Sequence, residues 1–274
     1  MTIKSDNYLL KLVQISQSII PRNLFGTKRY FVFCFARIAE RQFFRTYLGA
    51  SWIFIRVFFT FGTYAILFGV IFEGRDTRIS YFDHLISGML LWSVFIGGLS
   101  WGTRSFEILR NVRKKLFLPE LTMVLAGVAA GAISIIPWTS LFLLYSFFAS
   151  EISLELNLHL LFAAVLVIIF VISLTLVTSV LDAFGRDSRN FISLFSSWFL
   201  FTTPVLYEVK HVPEVLQWIV LMNPLTSILE LFRHGLYGSI YGDSVFDIGI
   251  FTLILFICCF LFFTRFVVLL RNSL

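Results

Sequence analysis

The sequence predicts an all-α membrane protein with six transmembrane helices, an N-terminal amphipathic interfacial helix and short re-entrant helices between spans five and six. Three observations lead there. Apolar residues make up 58% of the chain and charged residues only 14%, with a mean hydropathy of +0.87, whereas a soluble domain carries about 25% charge. Six stretches approach or exceed the ~20 apolar residues that cross ~30 Å of hydrocarbon. The basic residues sort to one side of those stretches, as Lys and Arg do in cytoplasmic loops. The 34 Phe residues suit a lipid-facing surface or an aromatic-lined conduit better than a soluble core.

Taken in order, residues 1–48 form a cytoplasmic N-terminal region and 49–274 the membrane domain. Leu9, Leu12, Val13, Ser16, Ile19 and Ile20 recur at helical spacing ahead of Pro21, which predicts a short amphipathic helix. Lys11, Gln14 and Gln17 interrupt that run, so it does not read as a signal peptide. A second helix begins near Thr27. In it Arg37, Arg41 and Arg45 repeat every four residues on one face, while Phe31, Phe35, Ile38, Phe43 and Phe44 supply the rest. Such a helix lies in the interface plane with its arginines toward headgroup phosphates.

The expected spans are Trp52–Phe72, His84–Thr103, Leu121–Ser150, Leu160–Leu181, Phe191–Tyr207 and Ile248–Leu269. The third is long, and Pro137 is expected to kink it. With the N-terminus in the cytoplasm, seventeen of the 22 Lys and Arg fall on that side; both termini are then cytoplasmic. Arg56 is the one strong charge expected inside hydrocarbon. An intramembrane arginine is a functional candidate, but its place one turn past Trp52 favours snorkelling to the nearby interface.

Between spans two and three runs Arg104 to Glu120, RSFEILRNVRKKLFLPE. Five bases (Arg104, Arg110, Arg113, Lys114 and Lys115) lead into Leu116, Phe117, Leu118 and Pro119. A short helix with a basic end and an apolar end is a handle for a cytosolic partner, and the same residues also serve as a plain topology signal. After span five, Glu208 to Asp247 is long yet apolar. Val215–Met222 and Leu225–Leu236 have helical patterns, punctuated by Pro213, Asn223-Pro224, Gly235 and Gly238. Neither piece is long enough to span, so two re-entrant helices at a pore mouth are expected. Glu230 and Arg233 are three apart and can pair on one helix face, either within that mouth or as an ordinary surface pair.

Several chemistries have no residues to carry them. There is no GxxxxGKS or GxxxxGKT loop to bind nucleotide, and no GxSxG elbow or kinase motif. His84, His159, His211 and His234 are isolated in the sequence, and Cys34, Cys258 and Cys259 show neither metal spacing nor a disulfide framework. Carboxylates are scarce within the spans, which disfavours a proton-coupled pump. The net charge of +6 sorts by membrane side and is no nucleic-acid footprint. A polytopic enzyme acting on lipid-linked sugar would need converging acid and base residues. Transport driven by a separate subunit is the economical reading.

Short motifs then recur in a definite order. They are Arg45-Thr46-Tyr47-Leu48-Gly49-Ala50-Ser51-Trp52 before span one, Leu67-Phe68-Gly69 at its end and Gly88-Met89-Leu90-Leu91-Trp92 in span two. Next come Asn111-Val112-Arg113-Lys114-Lys115-Leu116-Phe117-Leu118-Pro119 and the Arg186-Asp187-x-Arg189 turn. Thr203-Pro204-Val205, Val212-Pro213-Glu214 and Asn223-Pro224-Leu225-Thr226 complete the series. From about residue 25 to about residue 240 this series resembles the membrane subunit of bacterial ABC exporters of polysaccharide, of the O-antigen, capsule or teichoic-acid type. Two positions depart from the family pattern. Val57, preceded by Arg56, stands where the family often has Pro, and Phe184-Gly185 stands where it sometimes has Tyr.

The resemblance implies that two copies enclose one channel and that two copies of a cytoplasmic ATPase dock beneath them. ATP and Mg would be bound by that ATPase, and this chain would carry no cofactor of its own. Coupling to the ATPase would fall to Arg110, Arg113, Lys114, Lys115, Leu116, Phe117 and Pro119, with Arg186, Asp187 and Arg189 as a second contact. Arg37, Arg41, Arg45 and Arg56 would receive the pyrophosphate of a polyprenol-linked glycan. Trp52, Phe58, Phe59, Tyr64, Trp198, Phe199 and Phe201 are candidates for lining the channel, since sugar faces stack on aromatic rings. Pro204, Tyr207, Pro213, Asn223, Pro224, Glu230 and Arg233 would form the outer gate. A drug or lipid cargo on the same fold is the alternative.

Overall fold

The computed structural model describes residues 26–43, 47–72, 81–113, 118–148, 158–185, 187–237 and 245–273, and every described element is helical. The helices are α1 (Gly26–Phe43), α2 (Ser51–Phe72), α3 (Tyr81–Thr103), α4 (Ser105–Arg113), α5 (Glu120–Ala132) and α6 (Ile135–Phe148). They continue with α7 (Leu158–Phe184), α8 (Asp187–Thr202), α9 (Glu214–Leu221), α10 (Pro224–Tyr237) and α11 (Val245–Ser273); a 3-10 turn at Val209–His211 precedes α9. The all-α membrane class is thus observed. By length and composition three described helical runs can cross a bilayer: Tyr81–Arg113, Glu120–Phe147 and Leu158–Phe184. Counting the bent pair α9–α10 as one span makes four, and Ser51–Leu67 and Ile250–Phe266 are shorter apolar helices.

The protein is built around α3. Every residue from His84 to Ser93 is buried, as expected of a helix apolar all round. It packs chiefly on α5 and α7, then on α6. Contact with α5 is backbone to backbone: a Cβ added at Gly131 would lie 2.0 Å from the Gly97 carbonyl oxygen. Small residues permit this approach, and dispersion between the touching helices holds it. Ser134 fastens the crossing by donating its hydroxyl to the Ser93 carbonyl at 2.8 Å. On the other side Thr103 and Thr178 hydroxyls meet at 2.6 Å between α3 and α7.

α3 does not stop at the membrane edge. With only a turn at Arg104, it continues into α4 as one 33-residue run, Tyr81–Arg113, which at 1.5 Å per residue is about 50 Å long. That exceeds the hydrocarbon thickness by about 20 Å, so α4 and its bases project beyond it.

The break in span three does not fall at Pro137. α5 ends at Ala132 and α6 begins at Ile135, with Ile133 and Ser134 between them bonded back to Ala130 and Gly131. Pro137 therefore sits in the first turn of α6, where its missing N–H leaves no bond unmade. The Ser134–Ser93 contact, a tertiary feature, fixes the break.

α1 is less exposed than its pattern suggested. Cys34 and Ile38 are fully buried with Phe106, Leu109 and Met123, because α1 lies along α5 and α4. Burial pushes the Cys34 thiol up to about 11, which leaves it a packing residue. At the other end α9 and α10 meet at 85°, in the arrangement expected of the two short helices. The amphipathic helix expected within residues 9–20 lies outside the described residues.

Candidate functional site: an arginine clamp, a central cavity and a buried arginine network

Three constellations lie along the α3–α4 rod. At its inner end Arg189, near the start of α8, donates Nε and Nη2 to the Asp182 carboxylate of α7 at 2.7 and 2.8 Å. The fork geometry is the one a guanidinium shares with a carboxylate. Asp182 is buried and also accepts from the Ser188 hydroxyl at 3.0 Å. The same Arg189 reaches Glu107 of α4 at 2.9 Å. One guanidinium therefore ties α7, α8 and α4 together. Beyond it, Arg113 lies 3.5 Å from Glu120 at the start of α5 and 5.9 Å over the Phe106 ring. Leu118, just ahead of α5, is buried.

At the outer end Arg233 of α10 is only 1% exposed. Its Nη1 donates to the Pro204 carbonyl at 2.9 Å and to Glu230 at 3.0 Å; Nη2 donates to the His84 carbonyl at 3.0 Å. Nε faces the Ser87 hydroxyl at 3.4 Å. A charge so buried is tolerated only with such partners. Room for it comes from Gly88, where a Cβ would stand 3.0 Å from Arg233 Nη2 and 2.9 Å from the Val205 carbonyl. His84 in turn donates from Nε2 to the Tyr207 carbonyl at 2.8 Å. Asn223 caps α10, accepting from the Leu225 N–H at 3.0 Å while its amide donates to Thr203 at 2.9 Å, and Pro224 takes the first helical position. Asn before Pro is a strong helix start. The outer helices are thus pinned to the first turns of α3 and to the exit of α8.

Between these ends α2 stands off from α3 and leaves a cavity of about 800 Å³. On α2 it is lined by Trp52, Arg56, Thr60 and Tyr64, and on α3 by Trp92, Ser93, Gly97, Ser100, Trp101 and Arg104. Ser134 and Trp138 of the broken third span and Leu200 of α8 form the far wall, while Gln42, Phe43 and Gly49 border the inner end. Among the described residues no carboxylate lines it.

The sequence-derived candidates divide among these places. Arg113, Pro119 and Arg189 belong to the inner clamp and turn, and Arg110 is exposed beside them. Asp187 opens α8, while Lys114, Lys115, Leu116, Phe117 and Arg186 lie outside the described residues. Of the arginines assigned to substrate, Arg56 lines the cavity, Arg37 pairs with Glu40 at 3.0 Å, Arg41 is exposed and Arg45 lies outside the described residues. Trp52 and Tyr64 line the cavity; Phe58, Phe59, Trp198 and Phe201 are exposed on the helix surfaces. Phe199 is buried, stacked on Phe195 at 4.7 Å and close to Phe95 at 5.4 Å. Pro204, Tyr207, Asn223, Pro224, Glu230 and Arg233 come together at the outer network, and Pro213 caps α9.

Sequence reasoning missed Glu107, Asp182, His84 and Ser87 as partners, and Arg104, Trp92, Trp101 and Trp138 as cavity residues. For the cavity a signal existed. Trp52, Arg56, Thr60 and Tyr64 step by four along α2, and Ser93, Gly97, Ser100 and Arg104 step by four, three and four along α3. Each is a polar or small stripe on an apolar helix.

Residues 34–237 match the family described as ABC-2 type transporter, membrane part. Among curated proteins the chain is similar to two proteins named O-antigen export system permease protein RfbA from Klebsiella pneumoniae. One is 26% identical over 175 residues, covering 62% of this chain and 68% of that protein; the other is 27% identical over 178 residues, with the same coverage. The protein of the same name from Myxococcus xanthus is 21% identical over 231 residues, covering 82% of this chain and 86% of its own length.

Proposed function

The chain belongs to the ABC-2 type transporter family, and from that premise we propose that it is the permease of an ATP-driven polysaccharide exporter in the bacterial inner membrane, with both termini cytoplasmic. Membership makes it a membrane transport subunit and not an enzyme, working with an ABC ATPase. Similarity to the three O-antigen export permeases supports glycan as the cargo. In this reading two copies form one channel, two ATPase subunits dock beneath them, and the glycan travels on a polyprenol pyrophosphate.

The observation that carries the mechanism is the single rod α3–α4. Its inner end holds Glu107, in the Arg189 clamp, and leads into the basic turn. Its outer end supplies the His84 carbonyl and Ser87 hydroxyl that hold Arg233. Both contacts lie on one helical run, so displacement at the ATPase face moves a hydrogen-bond partner of the outer gate. A rod packed backbone to backbone at Gly97–Gly131 does not absorb strain by side-chain rotation. It shifts as a body, which is how a nucleotide-driven stroke switches between two packings. The clamp ties α4 to the α7–α8 pair, so a displacement of either is passed to the other.

The test is charge reversal of Arg113, Lys114 and Lys115 together in the complex with its ATPase. We expect the variant to insert and hydrolyse ATP but to lose export by about tenfold or more. Unchanged export would remove the coupling role from this segment.

A further inference from the structure

We infer that His159 and His234 form a site for a divalent transition-metal ion of the zinc class, which clips α10 to the first turn of α7. The inference goes beyond the permease reading and rests on how these two helices pack.

Gly235 makes the site possible. α10 lies against α7, and a Cβ added at Gly235 would stand 2.9 Å from the Leu160 backbone nitrogen and 2.9 Å from the Leu160 Cβ. A residue without a side chain allows so close an approach. His234 precedes this glycine and His159 precedes Leu160, so the crossing carries both imidazoles to one place. Their ring centroids are 4.6 Å apart, with the planes at 77°. Zinc binds histidine nitrogen at about 2.0–2.1 Å, and an ion held tetrahedrally between two imidazoles sets their centroids about 5 Å apart. A small side-chain rotation brings the pair to that spacing.

The surroundings of the rings also point to an ion. His234 Nδ1 is shielded from solvent and makes no hydrogen bond, although buried polar atoms nearly always have a partner. A neutral imidazole offers a nitrogen lone pair, and an ion gives it that partner. His159 is exposed, so an ion reaches the pair from solvent. His84, in contrast, engages the Tyr207 carbonyl through Nε2 at 2.8 Å. Glu230, one turn before His234, is held by Arg233 at 3.0 Å. No group of three or more His, Cys, Asp or Glu among the described residues could hold an ion, so water completes the coordination. Imidazole favours zinc, copper and nickel over magnesium and calcium, which take oxygen ligands. His234 follows Arg233, whose guanidinium grips α3. An ion at the pair therefore fastens α10 to α7 one residue beyond its attachment to α3.

The test uses the tag-free, full-length protein in detergent, melted with zinc chloride or with magnesium chloride. We expect zinc, and not magnesium, to raise the melting temperature. His159→Gln and His234→Gln should each remove the rise. Cys258→Ser, which deletes an exposed thiol on α11, should keep it. Because His159 is exposed, its variant should melt like the wild type when no metal is added. Copper(II) on the wild-type protein should show two nitrogens in its paramagnetic resonance spectrum. Either histidine variant should show one, with affinity weaker by about a hundredfold, the avidity lost with one of two joined ligands. The absence of a zinc-dependent rise in the wild type, a rise that survives in both histidine variants, or a single nitrogen on copper in the wild type would overturn the site.

Discussion

Arg233 and Arg56 look alike in sequence, each a lone base beside or within an apolar stretch, yet the fold treats them oppositely. Arg233 is 1% exposed and distributes its donors among Pro204, Glu230, His84 and Ser87. Arg56 opens into a cavity shared with Arg104 and meets no carboxylate. The first is part of what holds the outer helices in place, and its charge is fully used within the fold. The second is exposed and has no ion-pair partner among the described residues.

Breaking each arginine should sharpen that contrast. The largest effect is expected from Arg233→Met, which leaves Glu230 and two carbonyls without their donor. Removing one partner of a buried pair costs about 3–5 kcal/mol, so this variant should accumulate poorly and melt early in detergent; wild-type melting would show that the outer network is ornamental. Glu107→Gln removes one arm of a half-exposed clamp while Asp182 keeps hold of Arg189, and about 1 kcal/mol or less is expected. A collapse of that variant would mean that the clamp holds the fold together rather than transmitting motion. The smallest effect belongs to Arg56→Gln and Arg104→Gln, which should leave the melting temperature unmoved, since no partner is orphaned. A large loss there would place both arginines in the structural class.

Much of this was legible in the sequence, for definite reasons. The apolar runs of α3, α5–α6 and α7 announce themselves by length, and Asn223-Pro224 announces the start of α10 by its own chemistry. The basic segment points to the inner face because Lys and Arg are retained there generally, which is an expectation from charge alone. What could not be read were contacts distant in sequence. A Glu230–Arg233 pair three residues apart looks the same on a surface as in a core, and only the fold brings the His84 and Pro204 carbonyls to it. The break before Pro137 was misplaced because a proline is visible in sequence whereas the Ser134–Ser93 contact is not. Arg104 was counted with the cytoplasmic bases, although its spacing from Ser93, Gly97 and Ser100 already placed it on their face.

In the mechanism proposed, what the ATPase does at α4 reaches the Arg233 network through α3. Glycan exported per ATP hydrolysed, measured in proteoliposomes with the Glu107→Gln chain and its ATPase, tests this directly. With the clamp loosened, hydrolysis should persist while export per ATP falls by up to about fivefold; a ratio equal to that of the wild type would contradict the account.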